Sequence, residues 1–204
     1  MSTTLDDAVA ALAAGEVVAV PTDTVYGLVC DPANREAVER VYAIKERPAG
    51  LELTLLAADV AAVEEAVELD EFARSLAARY WPGPLSIVAP VRGGRLAIPR
   101  AGITLSTRIP NHQLLLELLR RTGPLASTSA NRHGVRPAAD AASAAAELGG
   151  RVAAVLDGGS AAGLASTIID CSRTPPRVLR AGPIPEAELL ASAPIQTTTR
   201  YDAG

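Results

Sequence analysis

The chain has 204 residues, 49% hydrophobic and only 3% aromatic, so it can form one domain whose core is filled by Ala, Val, Leu and Ile. A formal net charge of -4 and a pI near 5.3 argue against a protein that coats nucleic acid through a broad basic face. The N-terminus is acidic where a signal peptide is basic, and no apolar run reaches the length of a membrane span, so a cytoplasmic protein without a membrane partner is expected.

In chain order, Leu5 to Ala14 reads as a helix, with Asp6 and Asp7 complementing its dipole and Gly15 stopping it. Val17 to Val20 reads as a buried strand that runs into the polar loop Pro21–Leu28, "PTDTVYGL". Arg35 to Glu46 reads as a helix, followed by a strand over Leu53 to Leu56 and helices over Val60 to Val67 and Asp70 to Trp81. Strands are expected over Leu85 to Val91 and Ile103 to Ile109, with a turn at "VRGGR" between them, and a helix over His112 to Arg121. Pro124 to Ala126 leads into a second polar loop, Ser127–Asn131. Asp140 to Leu148 is a helix, Val152 to Leu156 a strand, and Ser166–Thr167 a third polar loop ahead of the strand Thr167 to Asp170. Val178 to Leu179 is the last strand and Glu186 to Leu190 the last helix. Strands and helices mix without strict alternation, which predicts a single α+β domain over residues 1–192 with a loose tail over 193–204.

Lys45 is the one lysine among 19 basic residues. It lies at i+4 from Val41 and i+3 from Tyr42, so it continues the inward face of its helix at the last turn. Pro48 biases Arg47 toward extended backbone, which lets the two cations converge. Cys30 and Cys171 end apolar runs and read as buried thiols; no CxxC or Cys/His cluster points to zinc, and no protein-only metal site is expected. His112 and His133 read as exposed or locally bonded. There is no P-loop, no GxGxxG and no GxSxG. What remains is the three polar loops, whose hydroxyls and backbone N–H groups can meet ligand oxygens or serve ordinary turns and caps.

Taken in order, "PTDTVYGL", "YAIKERP", "TLSTRIP", "STSAN", "STIID" and "VLRAG" resemble the Sua5/YciO/YrdC family over roughly residues 5 to 190. The resemblance implies a twisted, mixed β-sheet flanked by helices, with a large concave groove. It implies L-threonylcarbamoyladenylate synthesis from L-threonine, bicarbonate and ATP with release of pyrophosphate, feeding threonylcarbamoyladenosine formation at position 37 of tRNA. Mg²⁺ would accompany ATP, and tRNA or the downstream transfer machinery would be partners. By motif, Lys45 and Arg47 are the implied catalytic pair and, with Ser129, Asn131 and Arg180, the implied ATP-binding set. Thr24, Ser106, Ser127 and Ser166 are the implied threonine-binding set, with Thr104 as a further lining residue. Glu46 stands where the family often has glycine, and Glu52 where proline is usual. A non-catalytic, YciO-like RNA-binding protein is the rival reading. Carbamoyl transfer, as in YrdC-like domains of larger maturation proteins, is a third.

Overall fold

A computed structural model describes residues 3–46, 53–93, 96–98, 103–132 and 134–191. The elements run α1 (Leu5–Ala13), β1 (Val18–Val20), β2 (Gly27–Cys30), α2 (Arg35–Lys45), β3 (Thr54–Leu56), α3 (Val60–Ala66), α4 (Glu71–Tyr80), β4 (Leu85–Pro90) and β5 (Thr104–Arg108). They continue with α5 (Gln113–Thr122), β6 (Leu125–Ser129), α6 (Ala141–Leu148), β7 (Ala154–Val155), β8 (Thr167–Asp170), β9 (Arg177–Arg180) and α7 (Glu186–Leu190).

Local chemistry sets the helix ends. Thr4 and Asp7 form a capping box at α1, and Asp140 and Ser143 form one at α6. Asn34, Asp59 and Asp70 cap α2, α3 and α4 by accepting from a backbone N–H three residues on. α5 ends at Gly123, whose φ of 81° suits glycine.

The nine strands among the described residues form one mixed sheet, ordered β7-β1-β2-β6-β3-β5-β4-β8-β9. β3 pairs parallel with β5 and antiparallel with β6, and β4 pairs parallel with β8. On one face, Leu28, Leu55, Ile87, Leu105, Ala126 and Ile169 pack with residues of α2, α3, α4, α6 and α7. On the other, Val18, Val20, Val29, Leu56 and Leu125 pack with Ala8 and Leu12 of α1 and Leu115, Leu118 and Leu119 of α5. Each fully buried leucine contributes about 1.5–3 kcal/mol.

The predicted elements are present with ends shifted by a residue or two, and two readings need correcting. "GLVC" is strand β2, so the first polar loop ends before Gly27. "LASTS" is strand β6, not a loop, because it is held on both sides, by β2 and by β3. The tail expected over 193–204, Arg47, Glu52, His133 and part of the "VRGGR" turn lie outside the described residues.

Candidate functional site

The α1–α5 layer covers only part of its face, and the residue type changes where that cover stops. On β3, Leu56 reaches the second core while Thr54, two residues away on the same face, borders a pocket. On β6, Leu125 gives way to Ser127 and Ser129; on β2, Val29 gives way to Gly27. The register aligns Ser127, Thr54 and Ser106 in one row across β6, β3 and β5. The result is a hydroxyl-rich floor under a cavity of about 380 Å³. Gly27 keeps that floor low, since a Cβ there would come 3.2 Å from Ser127 Oγ.

Lys45 enters from the last turn of α2 and is 3% exposed. Its Nζ donates to the Ser129 carbonyl at 2.5 Å, to the Asn131 carbonyl at 2.7 Å and to Asn131 Oδ1 at 3.2 Å. Ser129 Oγ lies 3.4 Å away. With Oδ1 taken by Lys45, the Asn131 amide turns its Nδ2 to the carbonyls of Arg132 and Val135, at 2.8 and 2.6 Å. Asn131 therefore holds the lysine with one end and the following loop with the other. Glu46 closes α2 in the left-handed region, at φ 51° and ψ 38°, and its carboxylate meets Arg151 at 2.9 Å. Glycine adopts that conformation with less strain, which gives a physical reason for the glycine often found there.

The first polar loop folds over the sheet end. Thr22 Oγ1 accepts from the N–H groups of Thr24 and Val25 and donates to the Val25 carbonyl. Arg108, at the end of β5, is 5% exposed and locks this loop. Its Nη1 donates to Thr24 Oγ1 at 2.9 Å, its Nη2 to Asp23 Oδ1 at 2.5 Å and its Nε to the Gly83 carbonyl at 3.0 Å. Burial holds the Arg108 pKa below the ordinary arginine value, and Asp23 opposes that lowering without cancelling it. Asp23 thus supplies the countercharge that a buried guanidinium requires. The Gly163 N–H donates to the Thr24 carbonyl at 2.7 Å, tying in the loop ahead of β8.

A second arginine acts similarly on that loop. Arg180 donates from Nη2 to Ser166 Oγ at 3.0 Å and from Nε to the Ser166 carbonyl at 2.9 Å. Ser166 Oγ also lies 2.9 Å from Ser86 Oγ of β4.

Lys45, Ser129, Asn131, Arg180, Thr24, Ser127 and Ser166 all border this one cavity. Ser106 sits beside it: its hydroxyl lies 3.1 Å from that of Thr54, which does border the cavity. Thr104 lies farther along β5, opposite Pro90. Sequence reasoning missed Asp23, Ser86 and Arg108. Arg108 carried a signal, because it has the strand parity of Ser106 within "TLSTR". Cys30 and Cys171 are buried as expected, and burial pushes both thiols up to about 12. His112 Nε2 lies 3.4 Å from the Gly158 carbonyl. Among the described residues, no group of three His, Cys, Asp or Glu side chains is placed to hold a metal ion, and no helix is long and apolar enough to cross a membrane.

A family model, Sua5/YciO/YrdC, described by the words "telomere recombination", matches residues 10–182. The chain belongs to the Sua5/YciO/YrdC family. Within it, the chain is 38% identical over 190 residues to a threonylcarbamoyl-AMP synthase of Bacillus subtilis, covering 90% of this chain and 55% of that protein. A threonylcarbamoyl-AMP synthase of Chromohalobacter salexigens is 40% identical over 155 residues, covering 74% of this chain and 83% of that protein. Among solved structures, Sua5 of P. abyssi complexed with L-threonine superimposes with a TM-score of 0.87 at 34% identity, covering 92% of this chain and 56% of that one. The chain thus spans about half the length of the Bacillus relative and of that Sua5.

Proposed function

We propose that the protein is a threonylcarbamoyl-AMP synthase, a nucleotidyltransferase that joins L-threonine, bicarbonate and ATP and releases pyrophosphate. The observation that carries this reading is the lone lysine. Its ammonium is delivered into a hydroxyl-lined cavity by the serine–asparagine turn that the family motif pairs with it. Support also comes from family relatives bearing the synthase name and from a Sua5 complexed with L-threonine.

The chemistry asks for what this site holds. The threonine amine and bicarbonate condense to an N-carboxylate with loss of water. One oxygen of that group attacks the α-phosphorus of ATP, and the bond to the bridging oxygen of pyrophosphate breaks. Negative charge builds on phosphate oxygens, so fixed donors and cations supply the rate enhancement and no nucleophilic side chain is needed. Lys45 would give a compact point charge to the phosphates, with Arg47 as its motif partner and Ser129 and Asn131 setting the ammonium's position. Arg180 would contact the nucleotide or act through Ser166. Thr24, Ser127 and Ser166 would meet the amino acid without adding charge. Mg²⁺ would enter with ATP and keep the triphosphate and water as its ligands. The adenylate would pass to the machinery that modifies tRNA.

The test is pyrophosphate release from ATP in the presence of bicarbonate. Release is expected to require threonine and to fall sharply with serine. A purified, folded chain that releases none, beside an active relative, would overturn the proposal.

A further inference from the structure

Tyr26, the last residue before β2, joins parts of the molecule that lie far apart in sequence. It is fully buried. Its carbonyl accepts from the Ala130 N–H at 2.7 Å, between the two residues whose carbonyls grip Lys45. Its hydroxyl donates to the Gly159 carbonyl at 2.9 Å and accepts from the Gly158 N–H at 3.2 Å. Burial raises the Tyr26 pKa above the ordinary tyrosine value, so the phenol keeps its proton for that bond. Gly158 and Gly159 belong to the segment 157–163, "DGGSAAG", which leads to Ser166 in the cavity wall. Residues 157–160 are exposed, and the phenol anchors them to the interior. The anchorage is opposed. Gly158 seats so closely that a Cβ on it would come 2.5 Å from Pro21 Cγ and 2.8 Å from His112 Cε1. His112 Nε2 has a long, 3.4 Å contact with the Gly158 carbonyl, and its Nδ1 is buried without a partner among the described residues. An unpaired buried nitrogen disfavours the arrangement that buries it, so the seated segment has a competitor in which it lifts and water reaches the ring.

We propose that Tyr26 is a positioning residue that couples the two substrates: a phosphate held at Lys45 steadies the serine–asparagine turn, and through Tyr26 this favours the seated glycine segment and so the binding of the amino acid. This rests on the proposed function for the identity of both ligands. The route is short and made of packed or hydrogen-bonded groups. The Tyr26 backbone is fixed at two points, by the Ala130 N–H and by the Ala138 carbonyl, which its own N–H meets at 3.0 Å. Its ring has no room to swing, so the hydroxyl moves with that backbone. Beyond the phenol, the N–H groups of Ala161 and Gly163 bond the carbonyls of Ala139 and Thr24, each at 2.7 Å. Seating at Gly158 and Gly159 therefore carries through to within three residues of Ser166. Coupling needs an element with two arrangements that both ligands bias, and the seated and lifted segment is that element.

The test is calorimetry on the full chain, with L-threonine titrated into the protein alone and into the protein saturated with AMP. AMP is expected to raise threonine affinity about tenfold, and threonine to raise AMP affinity by the same factor. Tyr26→Phe keeps the ring and removes the hydroxyl. It is expected to cut that coupling to less than about twofold while AMP affinity measured alone stays within about twofold. Gly158→Ala reaches the same segment from outside the core, by wedging it off Pro21 and His112, and is expected to cut the coupling likewise. It carries the test if Tyr26→Phe fails to fold. No coupling in the unaltered protein, full coupling in either folded variant, or an equal loss of both affinities with the coupling intact would overturn the role of Tyr26. Coupled binding without pyrophosphate release would overturn the proposed reaction alone. No binding of threonine to the unaltered protein, with or without AMP, would overturn both.

Discussion

At the scale of single residues, Lys45 carries both chemistry and structure. Lys45→Ala is expected to lower pyrophosphate release by about 10²–10³-fold, the usual effect of removing one preorganised donor from a transition state. It also deprives the carbonyls of Ser129 and Asn131 of a donor inside the protein. Unsatisfied buried acceptors cost about 1–3 kcal/mol each, so the melting temperature is expected to fall measurably as well. Scanning calorimetry beside the activity assay separates the two losses. Glu46 gives the opposite case. Glu46→Gly relieves a left-handed backbone and loses an exposed ion pair worth little. Stability is expected to rise by about 1 kcal/mol, or about 2–4 °C in melting temperature. The lysine was legible in the sequence because it breaks the chain's own habit of using arginine. Arg108 was not, because it was one of many arginines and its partner Asp23 lies 85 residues away.

Elements repeat this lesson with strands. β2 and β6 were hidden because the apolar alternation that marks a strand breaks where the strand borders the cavity. Gly27 and Ser127–Ser129 read as turn chemistry, while the ladders on either side make them strand. Helices were more legible, since their caps are local. Those caps also predict an acid response. Asp7 is held below its ordinary value by bonds from Thr4, and Asp140 by bonds from Ser143. A lowered folded-state value means that the stabilisation is complete above the ordinary carboxylate range and is lost as pH falls through the lowered values. Asp140→Asn keeps a capping oxygen without a titrating one. Its melting temperature is expected to depend less on pH between about 5 and 2 than that of the unaltered protein.

For the whole molecule, two cores share one sheet, so neither is expected to melt alone. Trp81 is the single tryptophan, buried in the first core with its indole N–H on the Leu85 carbonyl at 2.7 Å. Its fluorescence and far-UV dichroism are expected to give one coincident urea transition; separate midpoints would show the two layers unfolding independently. The two cysteines have a practical consequence. Their thiolate forms are scarce at neutral pH, so the native chain is blind to alkylating reagents. A thiol introduced at exposed Val135, whose carbonyl is gripped by Asn131, would then be a unique attachment point for a dye. Its colour could follow, in real time, the filling of the cavity next to it.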